Sequence, residues 1–162
     1  MAKIMEATKK PKLKIYRIPR EDGSKVPMPK YGSKGAACFD IYSNNQENIV
    51  IPAGKTVMIP SGLKMEIEAG WQMKLQNRSG MGAKKEVMLG HAVGTIDCDF
   101  RGEMFIPLYN RGTRPFIVEP EMRVCQAELV PVYEAHFVEV DSEDELSDTE
   151  RGEGGFGSTG TN

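Results

Sequence analysis

A chain of 162 residues, 40% of them hydrophobic, is long enough for one packed domain. The formal net charge of −2 excludes a general nucleic-acid binder, whose affinity needs a basic surface to neutralise phosphates. It leaves room for a single nucleotide, which needs only a few local cations.

Met1 to Lys14 is basic and lacks an apolar run, so no secretory signal is expected. No stretch approaches the roughly 18 apolar residues of a membrane span, and a cytoplasmic protein (host cytoplasm for a viral source) is expected. Ile49–Ile51 and Thr56–Ile59 read as strands around the turn Pro52-Ala53-Gly54. Leu63, Met65 and Ile67 then alternate with Lys64, Glu66 and Glu68. Past Ala69-Gly70, Trp71, Met73 and Leu75 alternate with Gln72, Lys74 and Gln76, which predicts a hairpin with one buried face. Ser79 to Glu86 is the one stretch suited to a short helix. Met104, Ile106 and Leu108 form a further alternating set, and Phe116–Val118 and Val124–Val130 add strands. Many short strands with regular turn signals predict an all-β fold, a jelly-roll-like barrel or sandwich, over residues 1–140.

Residues 141–150 carry six acids and no base, too polar to offset the entropy of ordering, and are expected to form a mobile linker. Residues 151–162 are glycine-rich. Composition alone suits a disordered tail. Arg151, a single Phe156 among glycines, and Ser158 and Thr159 also suit a flexible arm that closes on a nucleotide. The three cysteines, Cys38, Cys98 and Cys125, are odd in number and far apart, and read as reduced thiols. His91 and His136 are too isolated to suggest a metal cluster.

Two segments carry candidate chemistry. Asp97 and Asp99 stand at i and i+2, and on a strand both would share one face opposite Ile96 and Phe100. A salt bridge to Arg101 or Arg111 and a general base acting on water are both compatible with that spacing. Asn77-Arg78-Ser79-Gly80-Met81-Gly82 ends a strand and opens a helix, where backbone N–H groups, a hydroxyl and a guanidinium could meet a phosphate. Ser79 equally suits a helix N-cap. The segment is neither a nucleophile elbow nor a phosphate-binding P-loop.

Five segments in order resemble the five motifs of the trimeric dUTPase family. They are Ala36-Ala37-Cys38-Phe39-Asp40-Ile41-Tyr42-Ser43, Arg78-Ser79-Gly80-Met81-Gly82, Gly94 to Gly102, Arg123-Val124-Cys125-Gln126, and Arg151 to Gly160. Any one of them is weak, while all five in sequence are specific. The resemblance implies hydrolysis of dUTP to dUMP and pyrophosphate by a homotrimer with shared active sites, with no nucleic-acid or membrane partner. It implies Asp97 as the base that activates water and Gln126 as the residue that helps hold that water. Asp40 would reach a Mg2+ ion on the triphosphate through water. Arg78, Ser79 and Gly80 would bind phosphate. Gly94, Thr95 and Ile96 would read uracil through the backbone, Phe100 would pack under deoxyribose, and Phe105 joins the substrate-binding set. Arg151, Phe156, Gly157, Ser158 and Thr159 would form the closing arm. His91 lies at the pocket edge, where an exposed loop histidine and a uracil or ribose contact are both open. Cys38, Gly82 and Phe100 depart from the residues usual in the family. A related deaminase chemistry would need an added acid next to the pyrimidine, and Gly90 to Ile96 has none.

Overall fold

The structure is a computed structural model and describes residues 10–155. Among these residues eleven strands account for nearly all regular structure: β1 Leu13–Arg17, β2 Lys30–Tyr31, β3 Phe39–Tyr42, β4 Ile49–Ile51, β5 Thr56–Ile67, β6 Trp71–Gln76, β7 Val87–Leu89, β8 Gly94–Ile96, β9 Glu103–Asn110, β10 Phe116–Val118 and β11 Arg123–Pro131. One helix, α1 Ser79–Lys84, sits between β6 and β7. The first sheet has the order β1-β5-β9-β7, the second β2-β3-β11-β6-β8, and β4 pairs with β10 in a small third sheet. The pairings are antiparallel. The expectation of an all-β, jelly-roll-like architecture is borne out. No helix among the described residues is long and apolar enough to cross a membrane.

Alternation builds the core. On β5 and β9 it turns Leu63, Met65, Ile67, Met104, Ile106 and Leu108 inward. On β3, β6 and β11 it turns Phe39, Ile41, Met73, Leu75 and Ala127 inward. These faces meet in one cluster, and each fully buried Leu, Ile or Met side chain contributes about 2 kcal/mol by leaving water.

The predicted hairpin is corrected. β5 pairs with β1 and β9 in the first sheet, whereas β6 pairs with β11 and β8 in the second. The chain arches between sheets at Ala69-Gly70, where Gly70 has φ +84° and the Trp71 N–H donates to the Glu68 carbonyl at 3.1 Å. An arch and a hairpin bury the same alternate residues, and they differ only in where the backbone hydrogen bonds go.

Two local boundaries also shift. The helix stops at Lys84 instead of Glu86, which takes φ +56°. Ser79 is not the N-cap. The first turn closes on Arg78, whose carbonyl accepts from the Met81 and Gly82 N–H groups at 3.0 and 3.1 Å. Beyond β11, residues 133–150 are exposed. The acidic segment holds one 3-10 turn, Glu143–Glu145, capped by the Ser142 hydroxyl, which accepts from the Asp144 N–H.

Candidate active site

The outer face of the second sheet carries the first group of candidate residues. Phe39 and Ile41 point inward, so Asp40 between them points out. Gln126 of β11 lies opposite Asp40 on one side and Gln76 of β6 on the other. Antiparallel partners share a face, so Asp40, Gln126 and Gln76 form one row. The Asp40 carboxylate accepts from Arg78 Nε at 3.1 Å and from Arg123 Nη1 at 3.2 Å, one oxygen each. Arg78 Nη1 also donates to the Arg123 carbonyl at 3.1 Å. Two guanidinium groups are therefore held side by side at the start of α1, next to Ser79 and Gly80. A Cβ on Gly80 would meet nothing within 4 Å. Packing within the chain thus leaves that backbone open to an approaching phosphate. A cleft of about 460 Å³ adjoins it, lined by Arg78, Gly80, Lys85, Met122 and Arg123 among others.

Strict alternation would put Arg123 and Gln126, three residues apart, on opposite faces. A register shift between Arg123 and Cys125 returns both to the Asp40 face. Its signature is two consecutive buried residues, Val124 and Cys125. Burial, followed by the nearby Asp40 charge, pushes the Cys125 thiol well above its ordinary value of 9.0. Burial and then Glu128 raise the Cys38 thiol as well. All three cysteines are free, as expected. Glu128, missed in the sequence, accepts from Gln76 Nε2.

The second group lies on β8 and the turn after it. Gly94, Thr95 and Ile96 pair with Leu75, Lys74 and Met73. β8 ends the sheet, so its backbone groups facing away from β6 have no strand partner among the described residues. His91 is exposed, and its ring lies over Gly94. A Cβ there would come within 2.6 Å of His91 Cε1 and 3.2 Å of Leu75 Cβ, so a side chain at this position would displace the His91 ring. Phe100 covers Gly102 in the same way, its Cζ 2.6 Å from where a Cβ would stand.

The strand reading of Asp97 and Asp99 is corrected. β8 ends at Ile96, and the Phe100 N–H closes a turn on the Asp97 carbonyl at 3.2 Å. Arg101 Nη1 donates to the Cys98 and Phe100 carbonyls at 2.7 and 2.9 Å, and Arg111 donates to the Gly82 carbonyl. Among the described residues no ion pair involves Asp97 or Asp99, so the salt-bridge alternative has no support. Asp97 lines a separate cleft with Trp71, Gln72 and Asp99.

The two groups do not meet within the chain. Gln126 stands opposite Gln76, while Ile96 stands opposite Met73, and Asp97 follows one residue beyond. Four residues along β6 separate them by about 13 Å at ~3.3 Å per residue. Phe105 belongs to neither group: it lies half-exposed on the outer face of β9, opposite Pro60 in the first sheet. Arg151 bonds within its own turn, its Nε donating to the Gly154 carbonyl at 2.8 Å. Phe156, Gly157, Ser158 and Thr159 lie outside the described residues.

At Asp40 the donor set bears on whether magnesium fits. Both carboxylate oxygens already accept from an arginine, and no cluster of three or more His, Cys, Asp or Glu occurs among the described residues. A carboxylate has about four acceptor positions, so those left on Asp40 suit a metal-bound water. Such a site fits an ion held mainly by substrate oxygens and water.

The family model described as dUTPase matches residues 24–160. The chain is 44% identical over 137 residues to the deoxyuridine 5'-triphosphate nucleotidohydrolase of Chlamydia felis, covering 85% of this chain and 93% of that one. It is 42% identical over 140 residues to the protein of the same name from Pseudomonas fluorescens, covering 86% and 91%. Among solved structures, a variant of the Staphylococcus bacteriophage 80alpha dUTPase with dUpNHpp superposes with a TM-score of 0.75 at 21% identity, covering 93% of this chain and 99% of that one. The dUTPase from phage phi11 of S. aureus superposes with a TM-score of 0.71 at 18% identity, covering 83% and 99%. A variant of that phage enzyme is described with a structural Mg(II) ion.

Proposed function

The chain belongs to the dUTPase family, and on that premise we propose that it hydrolyses dUTP to dUMP and pyrophosphate, lowering dUTP and supplying dUMP for thymidylate synthesis. The observation that carries the reading is the arginine pair held by Asp40 beside Ser79 and Gly80, in register with Gln126. Phosphoryl transfer from a triphosphate needs little more than charge neutralisation, in-line positioning and one activated water.

Arg78, the Ser79 hydroxyl and the Ser79–Gly80 backbone bind the phosphates. Gln126 orients the water through its side-chain amide. Asp97 takes a proton from that water as its oxygen bonds to the α-phosphorus. The bond from that phosphorus to the α–β bridging oxygen breaks, and pyrophosphate leaves with the electron pair. Bound magnesium would neutralise phosphate charge, with Asp40 accepting from a metal-bound water. The free edge of β8 offers backbone N–H and C=O groups to the uracil edge, where a thymine methyl would clash. The Phe100 ring packs under the deoxyribose and leaves no room for a 2′-hydroxyl. Residues 151–162 close over the nucleotide and exclude bulk water.

The distance between Asp97 and the arginine pair supports an assembly in which neighbouring chains complete each site. We read it as the homotrimer of the family. The exposure of Tyr133, Phe137 and Val138 beyond β11 supports partner chains as their cover.

Asp97→Asn tests the mechanism. The expected outcome is a loss of about 10²–10⁴-fold in pyrophosphate release, the range for a lost general base, with dUTP binding retained in calorimetry. A variant that keeps more than about a tenth of wild-type turnover overturns it.

A further inference from the structure

β7 is an edge strand, and its N–H groups alternate between β9 and the open side. The Gly90 N–H donates to the Pro107 carbonyl of β9 at 2.8 Å, which turns the Leu89 N–H outward. That outward N–H donates to Asn77 Oδ1 at 2.6 Å. Asn77 follows the last residue of β6 and precedes Arg78, so it sits on the junction that Asp40 fixes from the other side. Leu89 is the last residue of β7 before the tip of the connection that crosses to β8 in the second sheet.

The tip itself turns tightly. Ala92 takes φ +61°, and the Val93 N–H closes on the His91 carbonyl at 2.7 Å, two residues back. A non-glycine residue in this region is disfavoured and persists only when its surroundings hold it. β7 pairs with β9 along one side, from Val87 to Leu89, and the Asn77 bond holds Leu89 on the other.

We propose that Asn77 is a positioning residue for base recognition, seating the connection of residues 90–96 against the β6–α1 junction. The proposal rests on the dUTPase reading. The β7–β8 connection and Arg78 of one chain serve different sites in the proposed assembly. Loss of the bond therefore loosens the base pocket and leaves the phosphate grip, which Asp40 organises, intact. The rival role is a plain edge cap that only blocks strand addition to β7.

The test compares Asn77→Ala with Asn77→Asp, which keeps an acceptor of the same shape. In Asn77→Ala, amide exchange at Leu89 accelerates while Gly90 stays protected. The dUTP KM rises about five- to tenfold, the scale of one hydrogen bond, with kcat little changed. Preference for dUTP over dTTP and dCTP narrows, and inhibition by inorganic pyrophosphate is unaltered. Asn77→Asp keeps Leu89 protection and base preference. If Asn77→Ala does not fold, Asn77→Ser, too short to reach Leu89, gives the same comparison. Lost Leu89 protection with unchanged dUTP KM and base preference overturns the proposal in favour of the edge cap. An equal loss of pyrophosphate affinity also overturns it, because the bond then serves the phosphate segment. A wild-type chain that releases no pyrophosphate from dUTP overturns the functional reading itself.

Discussion

Single residues set what the proposed site accepts. Phe100 stands where a sugar-screening ring is expected, is 43% exposed, and rests on Gly102. Phe100→Ala should lower the dUTP-over-UTP preference by about tenfold, the order of a lost steric contact, and Phe100→Tyr should leave it unchanged. Parallel kcat/KM measurements on the two nucleotides check this; full preference in the Ala variant would remove the ring from the discriminating set. Cys125 carries a different prediction. Its thiol is raised in the folded chain above the 9.0 it has when exposed. Below that value both states hold the proton and stability is flat. As pH climbs past about 9 the unfolded chain loses its proton while the folded chain keeps it, so stability falls. Denaturation midpoints measured across the alkaline range should decline, and Cys125→Ala should flatten the decline.

Elements decide how these residues are delivered. The two-residue alternation of Leu63, Met65 and Ile67, and of Met73 and Leu75, was readable because side-chain direction along a strand is a local property. Which strand each would pair with was not, because an arch and a hairpin share that alternation. The shift between Arg123 and Cys125 shows the same limit at the site: one extra residue moves a guanidinium from the core face to the Asp40 face. Residues 141–150 are exposed and pack on nothing that a fold would need. Deleting residues 151–162 should therefore leave the melting temperature unchanged and lower kcat/KM by about a hundredfold, the scale of lost positioning. An extended linker of ten residues reaches at most about 33 Å, enough to cross to a neighbour. A non-hydrolysable dUTP analogue should protect the arm from protease. Full turnover after the deletion would mean that the arm is no lid.

At the scale of the whole molecule the prediction is an assembly. Light scattering at micromolar concentration should give three times the 18.0 kDa of one chain. Complementation is the sharper measurement. Asp97 and Arg78 lie in separate groups, so mixing Asp97→Asn chains with Arg78→Ala chains should restore activity that neither has alone. No recovery after verified subunit exchange would place both residues in a site built by one chain. The outer face of the first sheet, where Met58 and Phe105 are half-exposed, also suits burial between copies.

The sequence by itself determined the all-β class, the inward faces of the strands, the unpaired state of the cysteines and, through five ordered segments, the family. Each of these rests on local chemistry or on the order of residues along the chain. Tertiary structure decided that β5 and β6 part into two sheets, that Asp97 sits in a turn, and that Arg123 joins Arg78 on Asp40. It alone brought Asn77 to Leu89, twelve residues on. The physical reason is common to all four. A hydrogen bond or ion pair between distant residues depends on strand register and bulges, which the packing of the whole core fixes and no local pattern encodes.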